Sequence, residues 1–275
     1  MHNEETMKDE ISEKCARLQE NFKKCGSVAV AFSGGTDSAF LLKCAHDVLG
    51  ENCVAVTALS CFVPEREVLE ARRFCALHGI TQLEVRMEPL SVEGIAENPP
   101  ERCYLCKKAI FSRIQDEASA RGILYVAEGT NADDEGDFRP GLAAIAELGI
   151  RSPLKECGFT KAEIRAASRT LGLSTWSKPS AACMASRIPY GEPLTERALG
   201  MAERAEQFLS ERGFPQVRVR IHGETLARIE VPPADFEKLM RIRTDVVAAL
   251  TAAGFTYVSL DLLGFRSGSM NEALK

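Results

Sequence analysis

Residues 28–45 read VAVAFSGGTDSAFLLKCA. An apolar run gives way to small, polar residues and then to a second apolar segment. The first run reads as a buried strand, the last as a helix, and the small residues as the turn between them. Such a turn lets backbone N–H groups close round an anion, while the start of the helix adds partial positive charge. Ser33, Gly34, Gly35, Thr36, Asp37 and Ser38 are therefore expected to hold phosphate. The turn lacks the lysine of a Walker A loop and the spacing of GxGxxG, so neither common nucleotide motif accounts for it.

Outward from this stretch, the pattern predicts a helix over 7–24 before it and, after the helix 36–49, a strand at 53–60. A helix at 64–78, a strand at 81–88, a helix at 103–121 and a strand at 123–130 follow. Strands alternating with helices imply an α/β fold with a doubly wound parallel sheet, whose ligands gather at the carboxyl ends of the strands. A second polar segment, EGTNADD at 128–134, sits at such an end and offers Thr130, Asn131, Asp133 and Asp134. The same residue types also serve as plain helix caps. After RIPYGEPLT at 187–195 the pattern changes to helix 195–212, strands 217–223 and 226–231, an interrupted helix 233–253 and a strand from 257. This predicts two domains, 1–192 and 193–275, the second a smaller α+β unit.

The chain has 275 residues, a formal net charge of −5 and ten cysteines. An acidic balance disfavours nucleic acid as a partner. No apolar run approaches the roughly 20 residues that span a bilayer, and the acidic N-terminus does not resemble a leader, so no membrane and a cytoplasmic location are expected. In a reducing compartment the cysteines are expected as thiols, with metal or catalytic use only at particular spacings. Cys103 and Cys106 stand in CxxC spacing at the head of a helix, and Cys183 lies in SKPSAACMASRIPYGE at 177–192. Three thiolates suit a 4Fe-4S cluster with one iron left open. Cys44, Cys53 and Cys75 are read as core, and Cys15, Cys25, Cys61 and Cys157 as structural.

The SGGTDS turn resembles the signature of the PP-loop ATP pyrophosphatases, which cleave ATP between the α and β phosphates. Together with NPPERCYLCK at 98–107, EGTNADD, KPSAACMASRIPYGE and LDLLGFRSGSMNE at 260–272, it identifies the chain as a member of the LarE family. These are ATP-dependent sulfur transferases that help build the nickel-pincer nucleotide cofactor. The resemblance implies that pyridinium-3,5-biscarboxylic acid mononucleotide is adenylylated on a carboxylate with ATP and Mg²⁺, Asp37 helping to place the metal, and then converted to the thiocarboxylate. It also implies a homo-oligomer, a phosphate site between the domains, and one of two sulfur sources. Either Cys103, Cys106 and Cys183 hold a 4Fe-4S cluster that carries the sulfur, or Cys183 is sacrificed while the CxxC pair handles a persulfide. The external sulfur donor stays unnamed.

For the substrate phosphate, Ser186 and Arg187 follow Cys183 closely enough to act together. Arg218 and Arg220 alternate on VRVRI and so share one sheet face, and Arg266, Ser267 and Gly268 offer a further anion loop. Lys107 and Lys178 are candidate contacts to phosphate or carboxylate. Glu230 and Asp261 fall at strand positions, Asp235 reads as a cap, and Trp176 as core. The competing readings are a tRNA thiolase, which needs a basic surface, an amide-forming ligase, which needs an ammonia source, and an ATP-binding regulator, which has no use for the cysteines.

Overall fold

A computed structural model describes the backbone of residues 2–134, 140–179, 182–266 and 268–270, with side chains from residue 9 onward. Ser267 lies outside the described residues. The chain divides into two compact units, the first made of 1–60, 65–87 and 103–180, the second of 61–64, 88–102 and 181–275.

The first unit begins with α1 (His2–Cys25), β1 (Val28–Ala31) and α2 (Thr36–Leu49). It continues through β2 (Cys53–Leu59), α3 (Glu65–His78), β3 (Thr81–Arg86), α4 (Arg102–Ser119) and β4 (Val126–Ala127). Three shorter helices complete it, α5 (Gly141–Glu147), α6 (Pro153–Glu156) and α7 (Lys161–Thr170). The strands form one sheet in the order β3-β2-β1-β4, and every pairing is parallel. Alternation along β1 and β2 explains why both read as unbroken apolar runs. Val28, Val30, Cys53 and Ala55 face a core that includes Phe40, Leu41 and Phe159. Ala29, Val54 and Val56 face another with Phe111, Ile114 and Ile145. A sheet covered on both faces has no polar side to show.

The strand expected over 123–130 pairs at only two positions, Ala29 with Val126 and Val30 with Ala127. Leu124 is 84% exposed. Beyond Ala127 the backbone turns to Arg151, whose carbonyl accepts the Glu128 N–H at 2.9 Å.

The second unit holds α8 (Glu196–Glu211), β5 (Arg218–His222), β6 (Leu226–Glu230), α9 (Phe236–Arg241), α10 (Arg243–Ala253) and β7 (Tyr257–Leu260). β5 and β6 pair antiparallel, and β6 pairs parallel with β7. The interruption foreseen in the 233–253 helix falls at Ile242, between α9 and α10. A single cut after 192 does not describe the division, because residues 184–192 are hydrogen-bonded to the β2–α3 crossover at 61–64 and the β3–α4 crossover at 88–102. The Met184 N–H donates to Phe62 O at 2.9 Å, and Asn98 Nδ2 donates to Pro189 O at 2.7 Å.

None of the ten cysteines, all of them among the described residues, is in a disulfide. Burial pushes Cys53 and Cys75 up to about 12 and raises Cys44 further, which keeps these core thiols protonated and inert. No helix among the described residues is long and apolar enough to cross a membrane.

Candidate functional site

The strand order reverses between β1 and β4, and a doubly wound sheet binds its ligand at that switch point. The SGGTDS turn follows β1 and EGTNADD follows β4, so both motifs lie at the carboxyl ends of neighbouring strands. Gly35 caps α2 without a side-chain hydrogen bond, leaving the helix start to its own backbone dipoles. Ser33 Oγ accepts the Gly35 N–H at 3.4 Å and lies 3.1 Å from Ser38 Oγ. Gly34 has φ +72, and a Cβ there would also meet Glu67 O at 3.4 Å.

Lys178 braces this loop from behind, donating to Gly34 O at 3.0 Å and pairing with Glu67 at 2.5 Å and Glu70 at 2.6 Å. Thr36 Oγ1 donates to Thr175 O at 2.8 Å. Trp176, expected in the core, is 39% exposed and lies against Arg169 instead.

Gly129 sets the distance between the two motifs, since an added Cβ would stand 2.9 Å from Ser38 N. Beside it Glu128 is buried, accepting from Thr130 Oγ1 at 2.7 Å and Ser152 Oγ at 2.5 Å. Asn131, Asp133 and Asp134 form a self-capping turn in which Asn131 Oδ1 accepts the Asp133 N–H at 2.9 Å and Asp134 Oδ2 the Asn131 N–H at 3.0 Å. Lys161 joins the motifs, and the sequence reading missed it. Its ammonium donates to both Asp37 oxygens at 2.7 and 2.6 Å, and its N–H donates to Asp133 Oδ2 at 2.7 Å. The available signal was the capping box Thr160-x-x-Glu163, which fixes Lys161 as the first residue of α7.

Cys103 and Cys106 lie one turn apart at the head of α4, both half-buried. Gly141 packs on this turn so closely that a Cβ would stand 2.6 Å from Lys107 Cδ and 3.3 Å from Cys103 O. The Lys107 stem thus lies against the start of α5, and Tyr104 and Lys108 reach Glu147 at 2.5 and 2.7 Å.

In the second unit Cys183 is exposed at the head of a 3-10 turn, Met184–Arg187. Arg187 is 1% exposed, and Glu206 takes its guanidinium at 2.7 and 2.8 Å. Its remaining Nη1 reaches Ala182 O, Cys183 O and Ser186 Oγ. The Ser186 hydroxyl donates to Cys183 O at 2.8 Å. Both faces of β5 are buried, so Arg218 and Arg220 do not stand on a solvent face. Arg218 lies over the Phe265 ring, while Arg220 reaches Glu230, Ser269 Oγ and Ser186 O. Arg228, unremarked in the sequence, stands directly opposite Arg220 across the hairpin. Glu230, wholly buried, joins the two arginines at 2.9 and 3.1 Å. Among the described residues Arg220 Nε, Arg228 Nε and His222 Nε2 are buried without hydrogen-bond partners. Burial pushes the Asp261 carboxyl up, but the Leu263 N–H, Arg266 and Arg228 outweigh it and hold it below the usual range. Arg266 also donates to Gly264 O at 3.0 Å.

For an iron–sulfur group the donor chemistry is suitable, with two thiols on one helix turn and an exposed third. Among the described residues, however, no three His, Cys, Asp or Glu side chains are gathered as metal ligands. For Mg²⁺ the oxygen donors Asp37 and Asp133 suit a hard cation shared with phosphate oxygens.

A small-residue turn between strand and helix at the switch point of a four-stranded parallel sheet fits an α/β domain of the PP-loop, Rossmann-like kind. No family model matches the chain. It is 40% identical over 265 residues to pyridinium-3,5-bisthiocarboxylic acid mononucleotide synthase of Lactiplantibacillus plantarum, covering 96% of each chain. An uncharacterized protein of Synechocystis is 39% identical over 266 residues, 96% of this chain and 99% of that one. A chain of the glutamine-hydrolyzing GMP synthase of Thermoplasma acidophilum is 29% identical over 222 residues, 75% of this chain and 67% of its own. The chain belongs to the LarE family, that of the Lactiplantibacillus synthase.

Proposed function

We propose that the protein is an ATP-dependent sulfurtransferase that makes the thiocarboxylate of pyridinium-3,5-biscarboxylic acid mononucleotide. What supports the reading is the pairing of turn 33–38 with segment 129–134 at one switch point, in a chain whose relative is a pyridinium-3,5-bisthiocarboxylic acid mononucleotide synthase. ATP lies with its phosphates on Ser33, Gly34, Gly35, Thr36 and Ser38, flanked by Thr130 and Asn131. Asp37 and Asp133 are the candidates to hold Mg²⁺, which screens phosphate charge, and Lys161 then turns from Asp37 towards the phosphates. A substrate carboxylate oxygen attacks the α-phosphorus, the α–β bond breaks and pyrophosphate leaves. A sulfur nucleophile then adds to the acyl carbon and AMP departs with the carboxyl oxygen. Here the protein acts chiefly by alignment and by stabilising phosphoryl charge.

The orphaned nitrogens of Arg220, Arg228 and His222 support a phosphate site on that face, shared with Ser186, Arg218 and Arg266. Arg187, with its donors taken by Glu206 and the Cys183 turn, orients that turn rather than binding phosphate. Cys103, Cys106 and Cys183 would hold the 4Fe-4S cluster, which when bound supplies sulfide as the nucleophile. The exposure of Cys183 favours a second reading in which this thiol is itself the nucleophile. Its Cβ–S bond then breaks by elimination of the Cα proton, leaving dehydroalanine and the thiocarboxylate. The enzyme is proposed to act in the cytoplasm, as a homo-oligomer.

The test is anaerobic turnover with ATP, Mg²⁺ and the mononucleotide, measuring pyrophosphate, thiocarboxylate, iron and labile sulfide. Iron retained by wild type and lost in Cys103→Ala, Cys106→Ala and Cys183→Ala selects the cluster. An iron-free active protein whose Cys183 becomes lighter by one H₂S selects the sacrificial route. Pyrophosphate release without any thiocarboxylate overturns both.

A further inference from the structure

Three arginines from separate parts of the second unit hold the turn that carries Cys183. Arg187 takes Cys183 O at 3.2 Å, Arg220 takes Ser186 O at 2.8 Å, and Arg102 takes Ala185 O at 3.3 Å. Arg102 is 3% exposed, lies over the Tyr190 ring and also donates to Asn98 Oδ1. Asn98 is wholly buried and, with φ 57, has the single positive φ of any non-glycine residue described. Asparagine tolerates that conformation better than most side chains. Its Nδ2 donates to Ile188 O at 3.3 Å, Pro189 O at 2.7 Å and Glu192 O at 3.1 Å, and its own carbonyl accepts the Gly191 N–H at 2.9 Å. Two neighbouring residues of one crossover thus fix the backbone from Ala185 to Glu192.

We propose that Asn98 and Arg102 are positioning residues for sulfur delivery: they fix the 184–192 backbone so that Cys183 is presented in one orientation. This rests on the reading that Cys183 delivers or carries the sulfur. The chemistry of the two side chains makes the inference specific. A carboxylate at 98 has no N–H to give three carbonyls, and a lysine at 102 keeps the charge but loses the planar fork that serves two acceptors. Neither residue belongs to the unit that holds the ATP loop, so adenylylation and sulfur transfer respond differently. A purely structural role would lower both together.

The experiment uses the full chain as Arg102→Lys, Arg102→Ala and Asn98→Asp. In the first turnover it measures pyrophosphate released, thiocarboxylate formed per pyrophosphate, and the rate at which iodoacetamide alkylates Cys183. Arg102→Ala and Asn98→Asp are expected to release pyrophosphate within about 3-fold of wild type, while thiocarboxylate per pyrophosphate falls roughly 30- to 100-fold, the scale of a misplaced reacting group. Cys183 alkylation rises several-fold, and Arg102→Lys partly reverses both effects. A parallel fall in both half-reactions, or an unchanged ratio in Arg102→Ala, overturns the proposal. If wild type itself yields no thiocarboxylate, the functional reading fails. The alkylation rate then decides alone, and an unchanged rate in the folded Arg102→Lys and Arg102→Ala proteins overturns the positioning role.

Discussion

At Gly129 any side chain would press a Cβ to within 2.9 Å of the Ser38 nitrogen, and the obstacle is backbone. Gly129→Ala should therefore cost about 1–3 kcal/mol as an overpacked contact. It should also weaken ATP binding roughly tenfold or more through displacement of the first turn of α2. Denaturant unfolding and nucleotide titration check the two parts. Asp37→Asn makes the opposite case. Its pair with Lys161 is partly solvent-facing, so stability should change by less than about 1 kcal/mol. Pyrophosphate release should nevertheless fall by about 100-fold. The strand-to-helix turn at 33–38 was legible in the sequence because its six residues are contiguous and their chemistry is local. Lys161, Glu206 and Arg228 were not, since each meets its partner only through helix placement or strand register that one-dimensional spacing does not carry.

Among the elements, α7 shows how a local signal fixes a remote side chain. Thr160 Oγ1 accepts the Glu163 N–H, the Glu163 carboxylate accepts the Thr160 N–H, and Lys14 Nζ completes the set at 2.6 Å. Burial pushes Glu163 up, but Lys14 and Thr160 outweigh it and lower its pKa. Thr160→Ala should cost about 1 kcal/mol. Because Lys161 is the next residue, it should also raise the ATP concentration needed for half-maximal pyrophosphate release, which a KM measurement reads. Most helices and strands were legible from their periodicity. The 123–130 strand was not, because β-branched and aromatic content marks a pleated surface without saying how far a neighbour extends, and β1 offers β4 only two partners.

For the whole molecule, the domain division was the least legible feature, since a composition shift near 190 reveals where the pattern changes and not which crossovers pack with it. Glu206 takes Arg187 from outside 193–275, and both are nearly fully buried. A fragment 193–275 therefore leaves a buried carboxylate without its cation, a loss of about 3–5 kcal/mol. It should show no cooperative unfolding transition, while the full chain does. Acid sensitivity belongs to this unit too. Burial, and then Arg228, hold the His222 imidazole below its ordinary value. The unfolded chain then takes up that proton at a higher pH, so the stability His222 contributes is complete above its unfolded value and is lost as pH falls towards the lowered one. His222→Gln should flatten that part of a thermal-midpoint profile taken between about pH 7.5 and 5.

The two-position seam between β1 and β4 has a kinetic meaning as well. It joins strands distant in the chain with few backbone bonds, so loop closure delays it and little enthalpy rewards it. It should be the last line of the sheet to zip and the first to breathe. The Ala29 amide, bonded to Tyr125 O at 2.9 Å, should then exchange its hydrogen faster than the amides facing β2. A nucleotide gripped by residues on both sides would act as a clasp, slowing that exchange while leaving the rest of the sheet unchanged.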